Sequence, residues 1–141
     1  MGKKTELKLA PQFVGNSGLF YVCYRLSLLG WNALPTSRNA RGVDLVCFSM
    51  DGHRMHTFQI KTLSKRNPVP LGKDIDKLIG DFWIIVANII TEHPETYIFS
   101  PDEIKSMAHK GEKDGKISYW LQPKQYAIDA FHEKWERIGN G

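Results

Sequence analysis

Two segments with strand character flank the dipeptide Asp51-Gly52, and this arrangement constrains the fold more than any other feature of the chain. Asp-Gly is a strong signal for a two-residue hairpin turn. If it forms the loop, Asp44 faces Gln59 across the two strands, with Cβ atoms roughly 5 Å apart. Lys61 lies two residues beyond Gln59 and therefore shares its face. The sequence thus predicts a carboxylate, an amide and an ammonium group at one end of a hairpin formed by residues 43–63.

The other positions of this hairpin alternate as in an ordinary half-buried pair of strands. One face is apolar and consists of Leu45, Cys47, Phe58 and Ile60. The opposite face, which carries Asp44, Gln59 and Lys61, is mixed in character. A mixed face that is simply solvated is the alternative interpretation, and the residues of the hairpin alone leave it open.

The length of 141 residues fits one domain with a substantial core. We expect a polar N-terminal arm at residues 1–12 and a single domain at residues 13–141. No apolar run reaches the length of a membrane-spanning helix, and no apolar segment of a signal peptide follows the N-terminus. Cys23 and Cys47 lie in apolar patterns typical of free, buried thiols, and the five histidines lack zinc-site spacing. These features favour a cytoplasmic protein.

The net charge of +4 is unevenly distributed. Between positions 38 and 73 the only acids are Asp44 and Asp51. The basic residues of the same segment are Arg38, Arg41, Arg54, Lys61, Lys65, Arg66 and Lys73. Because this segment contains the predicted cluster, a polyanion such as nucleic acid is the partner that the charge favours, although a merely solubilising surface would look similar.

Further helices and strands follow from the hydrophobic patterns. Apolar residues with helical spacing predict a helix from Ser17 to Leu29, which Gly30 ends. Ser100-Pro101-Asp102-Glu103 has the features of a helix start with a capping box. Beyond the hairpin, strands are predicted at residues 31–36, 82–88, 95–99 and 116–121, a turn at 111–115, and a short helix near 73–79. A last helix is predicted from Pro123, with a buried stripe of Ala127, Phe131, Trp135 and Ile138. The order predicts a single α/β domain with a mixed β-sheet flanked by helices.

This succession of a helix, a hairpin bearing Gly-x-Asp at Gly42 to Asp44, and a strand bearing Gln-x-Lys at Gln59 to Lys61 resembles the restriction-endonuclease-like, or PD-(D/E)xK, superfamily. Within it, the chain is most similar to members with Gln in place of the second acid, such as the Mrr-like, Holliday-junction-resolvase-like and some homing-endonuclease groups. The similarity covers roughly residues 14–100. It implies a restriction-endonuclease-like fold and metal-dependent hydrolysis of DNA.

The resemblance also implies roles for the residues of the hairpin. Asp44 would hold a divalent cation, Mg²⁺ or Mn²⁺, together with Gln59 or the carbonyl of Ile60. Lys61 would orient or activate the attacking water and offset charge on the phosphate. Mg²⁺ prefers hard oxygen ligands and retains several waters, so a few protein oxygens suffice. Basic residues near the cluster would contact DNA phosphates, and these are Arg38, Arg41, Lys65 and Arg66.

One feature departs from the pattern of the superfamily, whose members usually place a glutamate on the first helix. The matching turn here is Gly15-Asn16-Ser17-Gly18-Leu19, which contains no acid. Asn16 or Ser17 would supply a neutral oxygen as an auxiliary ligand, or else only cap the helix. Asp74, Asp76 and Asp81 are further acids for which the sequence indicates no place.

Three functions remain compatible with the sequence. The first is a metal-dependent endonuclease, which in so short a chain would cut two strands as a homodimer. The second is a catalytically degenerate nuclease-like fold that serves as a nucleic-acid-binding module or subunit. The third is an unrelated α/β interaction domain, suggested by exposed aromatic residues at Trp31, Tyr119 and Trp120.

Overall fold

The chain is built around a mixed five-stranded sheet. In the computed structural model, which describes residues 8–37 and 42–141, the strands of this sheet lie in the order β1-β2-β3-β5-β6. They are β1 (Asn32–Pro35), β2 (Leu45–Phe48), β3 (Met55–Thr62), β5 (Phe82–Ala87) and β6 (Glu95–Phe99). All neighbours are antiparallel except β3 and β5, which are parallel. The predicted mixed α/β sheet is confirmed.

The second sheet has three strands and lies outside the predicted scheme. Its order is β4-β8-β7, formed by β4 (Val69–Gly72), β7 (His109–Lys113) and β8 (Lys116–Leu121), all antiparallel. The strand at residues 116–121 is confirmed, whereas a turn over all of residues 111–115 is wrong, because β7 continues to Lys113. A polar, exposed edge strand such as His-Lys-Gly-Glu-Lys carries no apolar periodicity that would indicate it.

The register of the β2–β3 hairpin is as predicted, but its loop is longer. Leu45 pairs with Phe58 and Phe48 pairs with Met55. Pairing ends where the N–H of Ser49 donates to the carbonyl of Arg54 at 2.9 Å. A four-residue connection of residues 50–53 therefore replaces the two-residue turn. The Asp51 carboxylate stabilises it by accepting from the Ser49 hydroxyl, 2.6 Å, and from the N–H of His53, 3.0 Å.

Helix α1 (Pro11–Leu28) begins six residues before the predicted start. Proline is favoured at the first helical position, and the carbonyl of Ala10 accepts from Phe13 and Val14. The arm predicted for residues 1–12 is therefore too long by the two residues that belong to the helix, while residues 1–7 lie outside the described part. Asn16 and Ser17 are inside the helix, so neither caps it.

The large sheet is covered on both faces. Helix α1 packs on one face, where its Val22 and Leu26 meet Leu45, Phe58 and Ile84. On the other face the second sheet and α2 (Pro101–Met107) bury a second cluster, in which the alternate residues of β5 take part. Strand β5 is thus buried on both sides, as its continuous apolar sequence predicts. The capping box of Ser100 and Glu103 at the start of α2 is also confirmed.

Trp31 is buried, not exposed as the interaction-domain interpretation requires. Only 3% of the residue is accessible, because its ring packs on His56 and its indole N–H donates to the carbonyl of Gly139 at 2.9 Å. Tyr119 and Trp120 are half-buried on β8. Both cysteines are free thiols: Cys47 is buried, which raises its pKa to about 11, and Cys23 is only half-buried. In residues 8–37 and 42–141, no helix has the length and apolarity needed to span a bilayer.

The single helix predicted after Pro123 is wrong. Helix α3 (Pro123–Tyr126) is one turn long, and a separate 3₁₀ turn follows at Trp135–Arg137. The chain between them pairs with the outer edge of β6. The carbonyl of Phe131 accepts from the N–H of Ile98, and the N–H of Glu133 donates to Thr96. Burying this strand edge satisfies backbone groups that a continuous helix would leave without partners.

Helix α1 approaches β3 closely at Gly18. A Cβ atom at this position would lie 1.8 Å from Oγ1 of Thr62. We expect Gly18→Ala to lower the free energy of unfolding by about 1–3 kcal/mol, because helix and strand would have to separate. Gly15→Ala is the matched control in the same helix, since in residues 8–37 and 42–141 no atom beyond its chain neighbours and its own helix backbone lies within 4 Å of its Cβ position. It should raise stability by up to about 1 kcal/mol through helix propensity. Urea unfolding measures both, and equal stability of the two variants would contradict the close contact.

Candidate active site

Asp44 lies directly before β2, where the pairing between β2 and β3 ends. Its side chain takes the place of a backbone hydrogen-bond acceptor for β3. Its N–H donates to the carbonyl of Phe58 at 2.8 Å. This bond departs from the β2–β3 register, in which Asp44 would pair with Gln59. Its carboxylate Oδ2 accepts from the N–H of Ile60 at 2.7 Å. Its own carbonyl accepts from the N–H of Thr36 at 3.0 Å. Backbone bonds to Phe58 and Thr36 and the bond from Ile60 to the carboxylate therefore fix this half-buried residue, and its two contacts on β3 bracket Gln59.

A cleft of about 360 Å³ opens beside Asp44, between α1 and the large sheet. Asn16 lines this cleft together with Asp44, so the structure brings one predicted auxiliary residue to the predicted acid. The further lining residues are Gly15, Leu19, Thr36, Ser37, Gly42, Val43, Ile60 and Thr62. Ser17 is not among them, because its hydroxyl donates within the helix to the carbonyl of Phe13 at 2.7 Å.

Gln59 and Lys61 project from the face of β3 opposite to Ile60 and Thr62, since side chains alternate along a strand. Gln59 reaches the loop that carries Asp44: its Oε1 lies 3.6 Å from the position that a Cβ of Gly42 would take. The ammonium of Lys61 lies 5.9 Å from the centre of the Trp83 ring. The structure therefore places Gln59 beside the Asp44 loop and Lys61 over Trp83, and the joint action of the three residues stays a prediction.

Gly42 shapes this loop in two ways. Its φ of +74° is a left-handed conformation that favours glycine. A Cβ there would also approach Cγ1 of Ile79 to 2.9 Å. Glycine in the Gly-x-Asp sequence is thus explained by local geometry, because a larger residue would push the Asp44 loop away from Ile79.

Four basic residues are predicted to contact phosphates. Arg38 and Arg41 lie outside the described residues. Lys65 is exposed in the segment that follows β3. Arg66 is bound by Glu95 on β6 through two hydrogen bonds of 2.7 Å. This ion pair raises the pKa of Arg66 and, through the same hydrogen bonds, lowers the pKa of Glu95. Any phosphate contact by Arg66 would therefore compete with a carboxylate.

Two solved structures resemble this one over nearly their full length. A bacterial homing endonuclease has a TM-score of 0.59 and 15% identity, with 92% of this chain and 93% of that chain covered. The Holliday junction resolvase of the archaeal hyperthermophile Archaeoglobus fulgidus has a TM-score of 0.58 and 16% identity, covering 90% and 97%. The chain has the restriction-endonuclease-like fold. No family model matches the sequence, and no curated protein does so either.

Among the described residues, Asp44 is the one acid that lines the cleft. Asp81 accepts from the N–H and the hydroxyl of Thr57, and Asp74 caps the 3₁₀ turn at Ile75–Lys77. Neither lines the cleft. Within the described ranges, no three His, Cys, Asp or Glu side chains are grouped as a metal site would require.

The donors around the cleft nevertheless fit a hard cation. They are a carboxylate, an amide and hydroxyl groups, and Mg²⁺ takes oxygen ligands while keeping several waters. In the described part of the chain, no hydrogen bond reaches Oδ1 of Asp44, whereas Oδ2 is held by Ile60. One carboxylate with neutral oxygens suits weak binding of such an ion.

Sequence reasoning missed Thr36, Ser37 and Thr62 as lining residues. Thr62 could have been found, because it lies two residues beyond Ile60 and so shares the α1 face of β3. Thr36 and Ser37 carry no such signal. They reach the cleft only because β1 pairs with β2 and ends beside Asp44.

The Arg66–Glu95 ion pair predicts a pH dependence of stability. The pKa of Glu95 is lower in the folded chain, so its contribution is present above about pH 4.3, the ordinary value of glutamate. It is lost as pH falls through the lower pKa of the folded state. Because Arg66 is more than half exposed, the contribution is about 1 kcal/mol or less.

The expected result is that Glu95→Gln lowers Tm at neutral pH and that its difference from the unaltered protein shrinks as pH falls. Thermal unfolding followed by circular dichroism from about pH 7 to about pH 3 measures this. Glu136→Gln is the control, since Glu136 is largely exposed and 4.0 Å from Lys134. A difference for Glu95→Gln that is independent of pH would contradict the ion pair as its cause.

Proposed function

We propose that the chain is a metal-dependent endonuclease that hydrolyses DNA phosphodiester bonds. The observation that carries this proposal is the Asp44 carboxylate, fixed by the N–H of Ile60 at a cleft lined with oxygen donors. The restriction-endonuclease-like fold supports it, and the two similar structures are nucleases by name. The substrate class and the metal are part of the proposal.

Asp44, Gln59 and the carbonyl of Ile60 would hold Mg²⁺ or Mn²⁺. When bound, such an ion lowers the pKa of a coordinated water and stabilises charge that develops on the phosphate. The hydrogen bond from Ile60 orients the Asp44 carboxylate, so that little reorganisation is needed when the ion arrives. Asn16, which lines the same cleft from α1, would add a neutral oxygen.

Lys61 would place a positive charge next to the scissile phosphate and position the attacking water. Trp83 restrains the ammonium, because a cation over an aromatic face is attracted to it. Lys is suited to this role because its charge is compact and its side chain is long and flexible.

DNA binding would rest on phosphate contacts from Arg38, Arg41 and Lys65, with Arg66 exchanging Glu95 for a phosphate. Such contacts give affinity without choice of sequence. They also predict binding that weakens steeply with salt, since each neutralised phosphate releases counterions.

One observation favours a second candidate function, a catalytically silent nucleic-acid-binding module. Helix α1, from Pro11 to Leu28, contains no acidic residue, so the described residues give the cleft one carboxylate where the superfamily usually has more. A silent module would keep salt-sensitive binding to DNA and lose both metal binding and cleavage.

The test of the site is cleavage of supercoiled plasmid and of a branched DNA with Mg²⁺, Mn²⁺ or EDTA. Cleavage is expected with either metal and none in EDTA. Asp44→Asn and Lys61→Ala should each lower the rate by about 100-fold or more, the scale of losing a charge-stabilising group. Asn retains an oxygen that accepts from Ile60, so the loop should stay folded.

Asp129→Asn and Lys110→Ala are the matched controls, because both residues are exposed and away from the cleft. They should cleave at the rate of the unaltered protein. Undiminished cleavage by Lys61→Ala or Asp44→Asn would refute the assigned site. Salt-sensitive binding without cleavage in any metal would establish the silent module instead.

Metal binding gives a separate prediction that does not depend on turnover. Asn16→Asp places a second carboxylate on the cleft and should tighten Mn²⁺ binding by roughly tenfold, since ligand charge tunes oxygen-ligated sites. Asp44→Asn should abolish binding. Calorimetric titration of Mn²⁺ measures both, with Ser17→Asp as control because Ser17 does not line the cleft. Equal affinity of the Asn16→Asp and Ser17→Asp variants would contradict the cleft as the metal site.

A further inference from the structure

The outward face of α1 carries large apolar side chains that nothing in the described chain covers. Phe13 is 53% exposed, Phe20 61%, Tyr24 58% and Leu28 67%. We call these four residues the aromatic stripe. Their spacing places them along one side of the helix, since seven, four and four residues correspond closely to two, one and one turns.

The aromatic stripe lies opposite the face that packs on the sheet. That buried face consists of Val14, Gly18, Val22 and Leu26, also at intervals of four residues. Helix α1 is therefore apolar on two opposite sides. A surface helix normally presents polar residues to solvent, so a second apolar side indicates a contact with another molecule.

No charge accompanies the aromatic stripe. Arg25 is the one charged residue of α1, and its guanidinium is bound to Glu133 at 2.8 Å and lies over the Trp135 ring. Because Glu133 engages this guanidinium, α1 offers no unengaged cation to DNA phosphates or anionic lipid headgroups, both of which select Lys and Arg. An apolar protein surface fits the stripe better.

We propose that the aromatic stripe pairs with the same stripe of a second copy of this chain. A two-fold axis brings a surface onto itself, and an uncharged surface can do so without like-charge repulsion. The stripe is centred between Phe20 and Tyr24, so an antiparallel pairing of the two helices would place Phe20 of each copy near that axis. Ser17, between Phe13 and Phe20, leaves a gap that an aromatic ring of the second copy can fill.

The area available is close to what such a dimer needs. Each stripe residue exposes roughly 100 Å², judged from the size of aromatic and leucine side chains. Two stripes together with the exposed residues beside them, Gln12, Ser17 and Ser27, approach the roughly 1,000 Å² that a specific interface needs. Aromatic residues at the centre of the contact are the type that dominates interface energy.

The pairing would also relate two clefts, and this consequence rests on the proposed function. Gly15, Asn16 and Leu19 of α1 line the cleft of Asp44, while the aromatic stripe lies on the same helix. Two copies joined through α1 would thus hold two clefts at a fixed separation, one for each strand of a duplex. The dimer itself does not require that the clefts be catalytic.

The test is the mass of the protein in solution without DNA, from light scattering on a sizing column across a range of concentrations. The unaltered chain is expected to be a dimer, and Phe20→Glu and Phe20→Lys are each expected to be monomers. Ile117→Glu is the control, an exposed apolar residue on β8 that should leave the dimer intact. Circular dichroism would show that all variants keep the fold.

Mixing the Phe20→Glu and Phe20→Lys variants provides the decisive result. If Phe20 of one copy lies near Phe20 of the other, opposite charges restore a dimer that neither variant forms alone. A monomeric unaltered chain, a dimer unaffected by both substitutions, or no recovery on mixing would each overturn the proposal. A chain that dimerises only after removal of residues 1–7 would also overturn it, because those residues would then cover the stripe.

The mass measurement is independent of cleavage, so loss of the proposed function and loss of the proposed dimer are distinguishable. If the unaltered chain cuts both strands of a plasmid, Phe20→Glu is expected to nick one strand and to linearise the plasmid at least tenfold more slowly. A chain that dimerises but never cleaves would retain the interface and refute only the endonuclease.

Discussion

The pairing of β3 on both of its edges is the constraint on which the rest of the molecule depends. Strand β2 binds one edge in antiparallel register and β5 binds the other in parallel register. Parallel neighbours cannot be joined by a tight turn. The chain therefore leaves β3, forms β4 and the 3₁₀ turn of Ile75–Lys77, and returns at Phe82. This connection supplies β4, with which the second sheet forms. It also contains Ile79, which lies next to Gly42.

The same constraint explains where polar groups can be placed. Ile60, in the middle of β3, would have an unpaired N–H where β2 ends, because the β2 ladder stops at Leu45. A buried N–H without a partner is costly, and the Asp44 carboxylate satisfies it. The acid of the candidate site is thus also a structural element of the hairpin. Its exchange for Asn keeps the hydrogen bond, whereas its exchange for Ala would remove a partner that β3 needs.

The sequence predicts best those elements whose own residue types indicate their environment in the fold. Phe82 to Ala87 is apolar at every position because both faces are covered, and Ser100 with Glu103 forms a complete helix start within four residues. The hairpin register follows from local pairing alone. By contrast, the polar edge strand β7 and the segment of Phe131 to Glu133 owe their conformation to distant partners on β8 and β6. Local patterns do not contain that information.

The candidate site likewise contains residues that the sequence predicts and residues that it does not. Asp44 and Gln59 were placed near each other by register, and Asn16 by the position of its turn in the first helix. The participation of Thr36, Ser37 and Thr62 depends on how three elements meet, which no spacing indicates. Arg66 has a partner that its sequence neighbourhood does not indicate. Its place in a basic segment suggests a phosphate contact, but Glu95, distant in sequence, binds it in the folded chain.

Helix α1 connects the proposed metal site with the apolar surface. The helix buries one side on the sheet and exposes the aromatic stripe on the other, which leaves only narrow flanks for polar residues. One of these flanks carries Asn16 into the cleft. A carboxylate at that position would share the cleft with Asp44, and two like charges there would repel each other without a cation. A neutral amide avoids this repulsion, at the cost of metal affinity. The absence of a helix acid is therefore consistent with the proposed site if that site would bind a cation weakly by itself and more strongly with a substrate phosphate present, since Mg²⁺ readily takes substrate phosphates as ligands.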